Sequence, residues 1–187
     1  LPIQSYLVRT RHHTILIDTC VGCHKKIKWV PEWNDRRDDT YLKNLVAAGV
    51  DPADIDYVFC THLHVDHCGW NTRMEDGRFV PTFPNAKYIF AKDEYDSHAE
   101  NNSIVFRESV LPVMEAKQAE LVAMDFALDD NLSLSPTPGH TVGHVAVEMT
   151  SNGQLAAMSG DLMHSPLQCI YTSLCPTVDL DQKQAGE

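Results

Sequence analysis

A short apolar run, Ile55–Cys60, is followed without a break by Thr61-His62-Leu63-His64-Val65-Asp66-His67. No other stretch limits the fold of this chain as tightly. Four groups able to bind a cation crowd into six positions directly after a strand-like segment. Imidazole nitrogens and carboxylates are the ligands that Zn2+ and similar divalent ions take. The two-residue period of an extended or tightly turning loop puts His62 and His64 on one side. Asp66 and His67 fall one turn further and can face a neighbouring point. Crowded together without a cation, these groups would desolvate one another and repel on protonation. A bound metal removes that conflict. One histidine on a loop is usually an ordinary surface residue; three with an aspartate, flanked by Cys60 and Gly69, are a metal-site pattern.

Two more loops have the same character. Pro138-Gly139-His140-Thr141-Val142-Gly143-His144 follows a strand-like run, and its Pro and Gly residues favour a sharp turn that projects His140. Gly160-Asp161 closes the apolar run Leu155–Ser159, which places its carboxylate at a strand end. Taken alone, Gly160-Asp161 is a turn aspartate; its weight comes from the other two loops. Groups on loops held by a rigid sheet are where catalytic side chains gather.

The remaining signals bound the answer. The 187 residues carry 15 Lys+Arg against 26 Asp+Glu, a net charge of −11, with 43% apolar residues. That balance suits one soluble domain over 1–187 with a sizeable core. It disfavours a nucleic-acid partner, and part of the acidic excess is of the kind that bound cations offset. No apolar stretch approaches the roughly 20 residues a membrane helix needs. Six cysteines are too few for a disulfide scaffold. The Cys20-Val-Gly-Cys23 spacing lacks the second pair that a structural zinc site requires. Reduced cysteines and a cytoplasmic location are therefore the default expectation. The strand-like run Ile3–Arg9 leaves no room for a signal peptide, and sequence is expected to continue beyond both ends.

The patterning predicts a hairpin from Ile3–Arg9 and Thr14–Asp18, then a long loop over Thr19–Thr40. A helix is predicted over Tyr41–Ala48, a strand over Ile55–Cys60, and a loop over Thr61–Trp70. Tyr88–Ala91 reads as strand, Lys92–Asn101 as helix, and Ser103–Glu120 as a helix interrupted at Pro112. Leu121–Met124 and Leu132–Ser135 read as strands, and Val145–Thr150 with Leu155–Ser159 as a hairpin. Strands and helices mix without regular alternation, so the expected class is α/β with mixed or largely antiparallel sheets.

In motif, order and spacing, Thr61–His67, Pro138-Gly139-His140-Thr141 and Gly160-Asp161 resemble the metallo-β-lactamase superfamily. Asp18, closing Ile15-Leu16-Ile17-Asp18, is similar to that family's early strand-end Asp, which supports the site without binding metal. The resemblance implies an αββα four-layer sandwich, incomplete at both ends, with two divalent ions, Zn2+ by preference, along one edge of the paired sheets. It further implies that His62, His64 and His140 hold the first metal, that Asp66 and His67 hold the second, and that Asp161 bridges them. By contrast, His144 reads as a structural hydrogen-bonding histidine.

The function implied is hydrolysis by metal-bound hydroxide of an ester, lactone or related small molecule, with Asp66 also handling a proton. Phosphotriester or thioester hydrolysis on the same fold, and a metal-binding but inactive fragment, are the alternatives. An Asp at the bridging position resembles the lactonase, thioesterase and phosphotriesterase branches. Gly160–Gln168 is similar to the branch of quorum-quenching lactonases and methyl-parathion-type hydrolases. The best-known acyl-homoserine lactonases carry a Tyr three positions after the bridging Asp, where this chain has His164. His164 and Trp70 are candidate pocket residues, although Trp70 could equally pack beneath its loop. The family's final metal-binding His has no counterpart after Asp161, so the chain as written is expected to hold the second metal weakly. Family members often dimerise, which leaves a homodimer open with no interface legible in the sequence.

Overall fold

The computed structural model describes residues 3–187. Strands β1 (Tyr6–Arg9) and β2 (Thr14–Ile17) pair antiparallel as the expected hairpin. Parallel to β2 lie β3 (Tyr57–Phe59), β6 (Lys87–Ala91) and β7 (Ala119–Val122), giving a five-stranded sheet of order β1-β2-β3-β6-β7. A second sheet, order β10-β9-β8, is antiparallel and consists of β8 (Leu132–Pro136), β9 (Val145–Ser151) and β10 (Gln154–Met158). Asn152 and Gly153 turn β9 into β10 with positive φ at both positions, the backbone that a two-residue hairpin turn requires.

Side-chain alternation explains why two sheets stack. Ile15, Ile17, Phe59, Ile89 and Val122 point from the large sheet toward Leu132, Leu134, Val145 and Val147 of the small one. Their neighbours Leu16, Val58, Tyr88 and Phe90 point the other way, into a core with Leu45, Phe106, Val110 and Val113. Leu45 comes from α1 (Thr40–Ala47), Val113 from α4 (Leu111–Glu115), and the other two from a π-helical turn at Phe106–Val110. Strands buried on both faces read as continuous apolar runs, which is how β2, β3 and β6 appear in the sequence. The layering is that of an α/β sandwich with helices on the outer face of the large sheet.

Two local expectations change. The pattern predicts helix through Glu120, but the chain leaves helix after Glu115, and β7 begins at Ala119. Lys117 takes the left-handed seat (φ 58), and the Lys117 and Gln118 N–H groups return to Met114 and Val113 carbonyls. A glycine usually marks that stop, and here none does. The interruption expected at Pro112 falls just before it: the helical run 104–115 is π-helical at Phe106–Val110 and resumes as α4, with Pro112 in the first turn, where no N–H is needed. The Thr61–Trp70 segment is not all loop, since Val65–Cys68 form a helical turn, α2. In addition, β4 (Thr72–Glu75) and β5 (Arg78–Pro81) form an unanticipated hairpin around Asp76-Gly77. The helix α3 (Lys92–Asn101) has the predicted bounds.

Lys25, in the long loop, is completely buried. Its Nζ donates to Thr72 Oγ1 (2.5 Å) and the Glu108 carbonyl (2.8 Å), and lies 4.0 Å from the Phe79 ring centre. The Glu108 carboxylate is engaged elsewhere, accepting the Lys26 N–H at 3.0 Å. Burial pulls the Lys25 ammonium down from 10.5 to about 7, against the opposing pull of Cys68, Glu108 and Cys23. Between those two values the unfolded chain binds the extra proton, so stability rises with pH across that window and is lowest below it. Lys25→Met keeps the Thr72 Oγ1–Glu108 carbonyl hydrogen bond and removes the buried cation. We expect it to stabilise the protein by about 1–4 kcal/mol near pH ~6, with the gain shrinking toward pH ~10. Urea titrations at the two pH values measure this, and a gain that does not change with pH would contradict it.

Candidate metal centre

The site forms where strand ends from both sheets meet. Asp18 follows β2, Thr61–His67 follow β3, and α3 with Glu94 follows β6. From the small sheet, His140 and His144 precede β9, and Asp161 follows β10. The open ends of parallel strands are a usual place for a binding crevice.

Asp18 organises the first loop from a left-handed backbone position (φ 58). Its Oδ1 accepts the Thr61 N–H at 2.8 Å, and its Oδ2 accepts Thr61 Oγ1 at 2.9 Å and faces His67 Nδ1 at 2.8 Å. A carboxylate only accepts, so the His67 hydrogen sits on Nδ1 in this pair. His67 Nε2 is thereby turned toward Asp161 Oδ1 at 3.1 Å, with Asp66 Oδ2 at 3.8 Å.

Three rings converge beside this pair. His62 Nε2 lies 3.0 Å and His140 Nε2 3.1 Å from His64 Nδ1. His140 Nδ1 is occupied by Asp179 Oδ1 at 2.8 Å, which leaves Nε2 as a lone pair. A neutral His64 can offer its Nδ1 hydrogen to one neighbour only, so at least two lone pairs point at each other. Burial, reinforced by the surrounding histidines, holds His62 well below its ordinary pKa and His64 at about 4. Neutral, inward-facing imidazoles are a cation-binding donor set.

Three groups of side chains bring one ligand atom each within 4.8 Å of one another: His62-His64-His140, His62-His67-Asp161, and His140-Asp161-His164. The residues present therefore fit a metal centre. Asp66 belongs to none of the three groups, and its half-buried carboxyl lies on the His67 side. Burial raises the Asp66 pKa, partly opposed by His67. Asp161 shows the reverse balance: burial would raise it, but His67, His164 and His140 outweigh that and hold it well below the usual carboxylate range. For His67, burial opposes the charge, while Asp18 and Asp161 override it and lift the pKa to about 10.

His164 Nε2 sits 3.1 Å from Asp161 Oδ2, and its buried Nδ1 has no partner among the described residues. His144 takes no place in these groups. Its Nε2 accepts the Asp161 backbone N–H at 3.1 Å and its Nδ1 faces Thr137 Oγ1 at 2.8 Å, so it holds the Asp161 turn. A cavity of about 160 Å3 opens beside Asp66, His67, Asp161 and His164 and is walled by Ile3 and Tyr6. Trp70 lies outside that cavity, buried and stacked on Tyr41 with ring centres 5.6 Å apart. It borders a neighbouring hollow of about 200 Å3 that also touches Ile3.

Sequence reasoning passed over Glu94, which ties the two histidine loops together. Its Oε1 accepts the Leu63 N–H at 3.0 Å and pairs with His98 Nε2 at 3.1 Å, while Oε2 accepts the Gly143 N–H at 3.0 Å. Gly143 is required at that approach, since a Cβ there would meet the Glu94 nitrogen at 2.2 Å. Nothing in the Lys92–Asn101 pattern distinguishes Glu94 from a solvated acidic residue of a first helical turn.

The family model described as Metallo-beta-lactamase superfamily matches residues 1–172. An N-acyl homoserine lactonase from Bacillus sp. is 28% identical over 156 residues, which cover 77% of this chain and 56% of that protein. N-acyl homoserine lactonase AiiA from Bacillus thuringiensis subsp. kurstaki is 27% identical over the same length. The chain thus spans little more than half the length of these relatives. Among solved structures, the hydrolase AbOPH of the beta lactamase superfamily aligns with TM-score 0.76 and 25% identity, covering 97% of this chain and 64% of that one. AidC, a dizinc quorum-quenching lactonase, aligns with TM-score 0.74 and 25% identity over 97% and 64% of the two chains. A probable metal-dependent hydrolase from Staphylococcus aureus shares the fold at TM-score 0.82.

Burial would raise the Glu94 pKa, but His98 and the Leu63 N–H outweigh it and hold the carboxyl at about 2, below the ordinary 4.5. The stability it contributes is therefore complete above 4.5 and lost as pH falls toward about 2. Glu94→Gln sets an amide NH2 against a backbone donor and should cost about 2–4 kcal/mol at neutral pH. Denaturant titrations of the two proteins should show that gap closing on acidification. An unchanged gap would rule out this role for the carboxylate.

Proposed function

The chain belongs to the metallo-β-lactamase superfamily, and on that premise we propose that it works as a two-cation hydrolase of lactones or related esters. One observation carries the reading. The two oxygens of Asp161 face separate histidine sets, Oδ1 toward His67 Nε2 at 3.1 Å and Oδ2 toward His140 Nε2 at 3.4 Å. In this reading His62, His64 and His140 hold one cation, Asp66 and His67 hold the other, and Asp161 lies between them. Nitrogen-rich donors with carboxylates favour Zn2+. Bound divalent ions supply a Lewis acid and a water acidic enough to lose its proton near neutral pH.

The protein's own groups do the rest. Asp66, with a carboxyl raised by burial and bordering the cavity, can hold a proton and pass it to a leaving oxygen. His144 fixes the Asp161 backbone, Asp18 fixes His67, and Glu94 keeps the His62–His67 and His140–His144 loops in register. Ile3 and Tyr6 give the cavity lining apolar surface that an acyl group can use, and His164 Nε2 stands in the same lining next to Asp161. The lactonase names of the relatives favour a lactone over a thioester or a phosphotriester.

Zinc-loaded protein should open an N-acyl homoserine lactone faster than it cleaves a thioester or a phosphotriester of similar size. His64→Ala should lower that rate at least about 100-fold and reduce the zinc retained per chain. Product formation by chromatography, together with metal analysis, checks both outcomes. Activity indifferent to His64→Ala would sink the proposal.

A further inference from the structure

We propose that Asp179 is a positioning residue of the metal centre, accepting the Nδ1–H of His140 and so fixing the ring in the tautomer and rotation that aim Nε2 at the site. This rests on the reading of His140 as a metal ligand. Asp179 Oδ1 lies 2.8 Å from His140 Nδ1, with side chains that are 3% and 2% exposed. A carboxylate is seldom buried so completely unless it is paired, and this one is spent on a single ring nitrogen. Asp179 lies 39 residues after His140 and beyond the 1–172 span of the family match.

The surrounding chain delivers it rigidly. The N–H groups of Leu180 and Asp181 donate to the carbonyls of His140 and Gly139 at 3.2 and 2.9 Å. Gly139, at φ +138, lets the chain lie against Ala185, because a Cβ there would meet the Ala185 nitrogen at 2.4 Å. Ala185 belongs to a short helix, α5 (Gln182–Ala185), which Asp181 caps through the N–H groups of Lys183 and Gln184. The segment is thus bonded to the same loop whose histidine it orients.

The geometry repeats that of Asp18, whose Oδ2 sits 2.8 Å from His67 Nδ1. In both pairs the carboxylate accepts the Nδ1 hydrogen, which turns Nε2 of the ring toward the site. Without Asp179, His140 can carry its hydrogen on Nε2 or rotate away. Either change removes one of the three nitrogens that face one another.

The test compares the full chain with Asp179→Ala, Asp179→Asn and His140→Ala. Zn2+ affinity is read by competition with a chromophoric chelator, and the His140 tautomer by nitrogen-15 NMR without added metal. Thermal melts identify which variants fold. The wild type should show the Nδ1–H form. Asp179→Ala should lose it and bind Zn2+ about 10–100-fold more weakly, while Asp179→Asn, which keeps an accepting oxygen, should retain the tautomer and lose less affinity. A folded Asp179→Ala with wild-type affinity and tautomer overturns the proposal. So does an Nε2–H tautomer in the wild type, a result that needs no variant to fold. If the wild type and His140→Ala bind Zn2+ equally, the metal centre itself is misassigned, whatever Asp179 does.

Discussion

Lone pairs on neighbouring imidazole nitrogens, held about 3 Å apart and away from water, set the terms for everything around them. His62, His64 and His140 would rotate out of that arrangement if nothing restrained them, because facing lone pairs repel and each ring would gain from hydrogen-bonding elsewhere. The restraint comes from anchoring the opposite side of the rings. Asp179 takes the far nitrogen of His140, Asp18 does the same for His67, and Thr61 Oγ1 faces His62 Nδ1 at 3.2 Å. The buried carboxylates are stable there because each finds donors: Asp18 has the Thr61 backbone and hydroxyl, and Glu94 has two backbone N–H groups and His98.

Such restraint needs a frame stiffer than the loops themselves. β2, β3 and β6 are packed on both faces, so the positions of Asp18, Thr61 and Glu94 at their ends follow from the sheet. The small sheet supplies His140, His144 and Asp161 from the opposite side. The stacking of Ile15, Ile17, Phe59 and Ile89 on Leu134, Val145 and Val147 therefore sets the distance between the two ligand groups. Val145 N–H also donates directly to the Thr61 carbonyl at 2.9 Å, joining the sheets at the site. Core packing and site geometry are one problem in this molecule.

The cavity beside the candidate metal centre mixes polar and apolar side chains. Asp66, His67, Asp161 and His164 line it together with Ile3, Gln4 and Tyr6. Trp70 is committed to stacking on Tyr41 and shapes the adjoining hollow.

Much of the site was legible because its signals are local. Four ligand-type residues in Thr61–His67 and the glycine-bracketed His140 announce themselves through residue type and spacing, and Asp161 through its place after an apolar run. Apart from the β4–β5 hairpin, the strands, the α1 and α3 helices and the β9–β10 hairpin were legible for the same reason, since each is written in a period or a turn residue. Lys117 hid the end of α4 because a lysine in the left-handed seat looks like any other helix lysine. Glu94 and Asp179 were invisible because their partners lie 49 and 39 residues away, and an acidic side chain carries no mark of being buried. The sequence by itself supplied the residue types, imidazole and carboxylate, that could bind a cation and the loops that carry them. Only the tertiary structure decided which nitrogen of His67 and of His140 faces inward, because that choice is made by hydrogen bonds to carboxylates, Asp18 and Asp179, that lie far along the chain and are brought into reach by the fold.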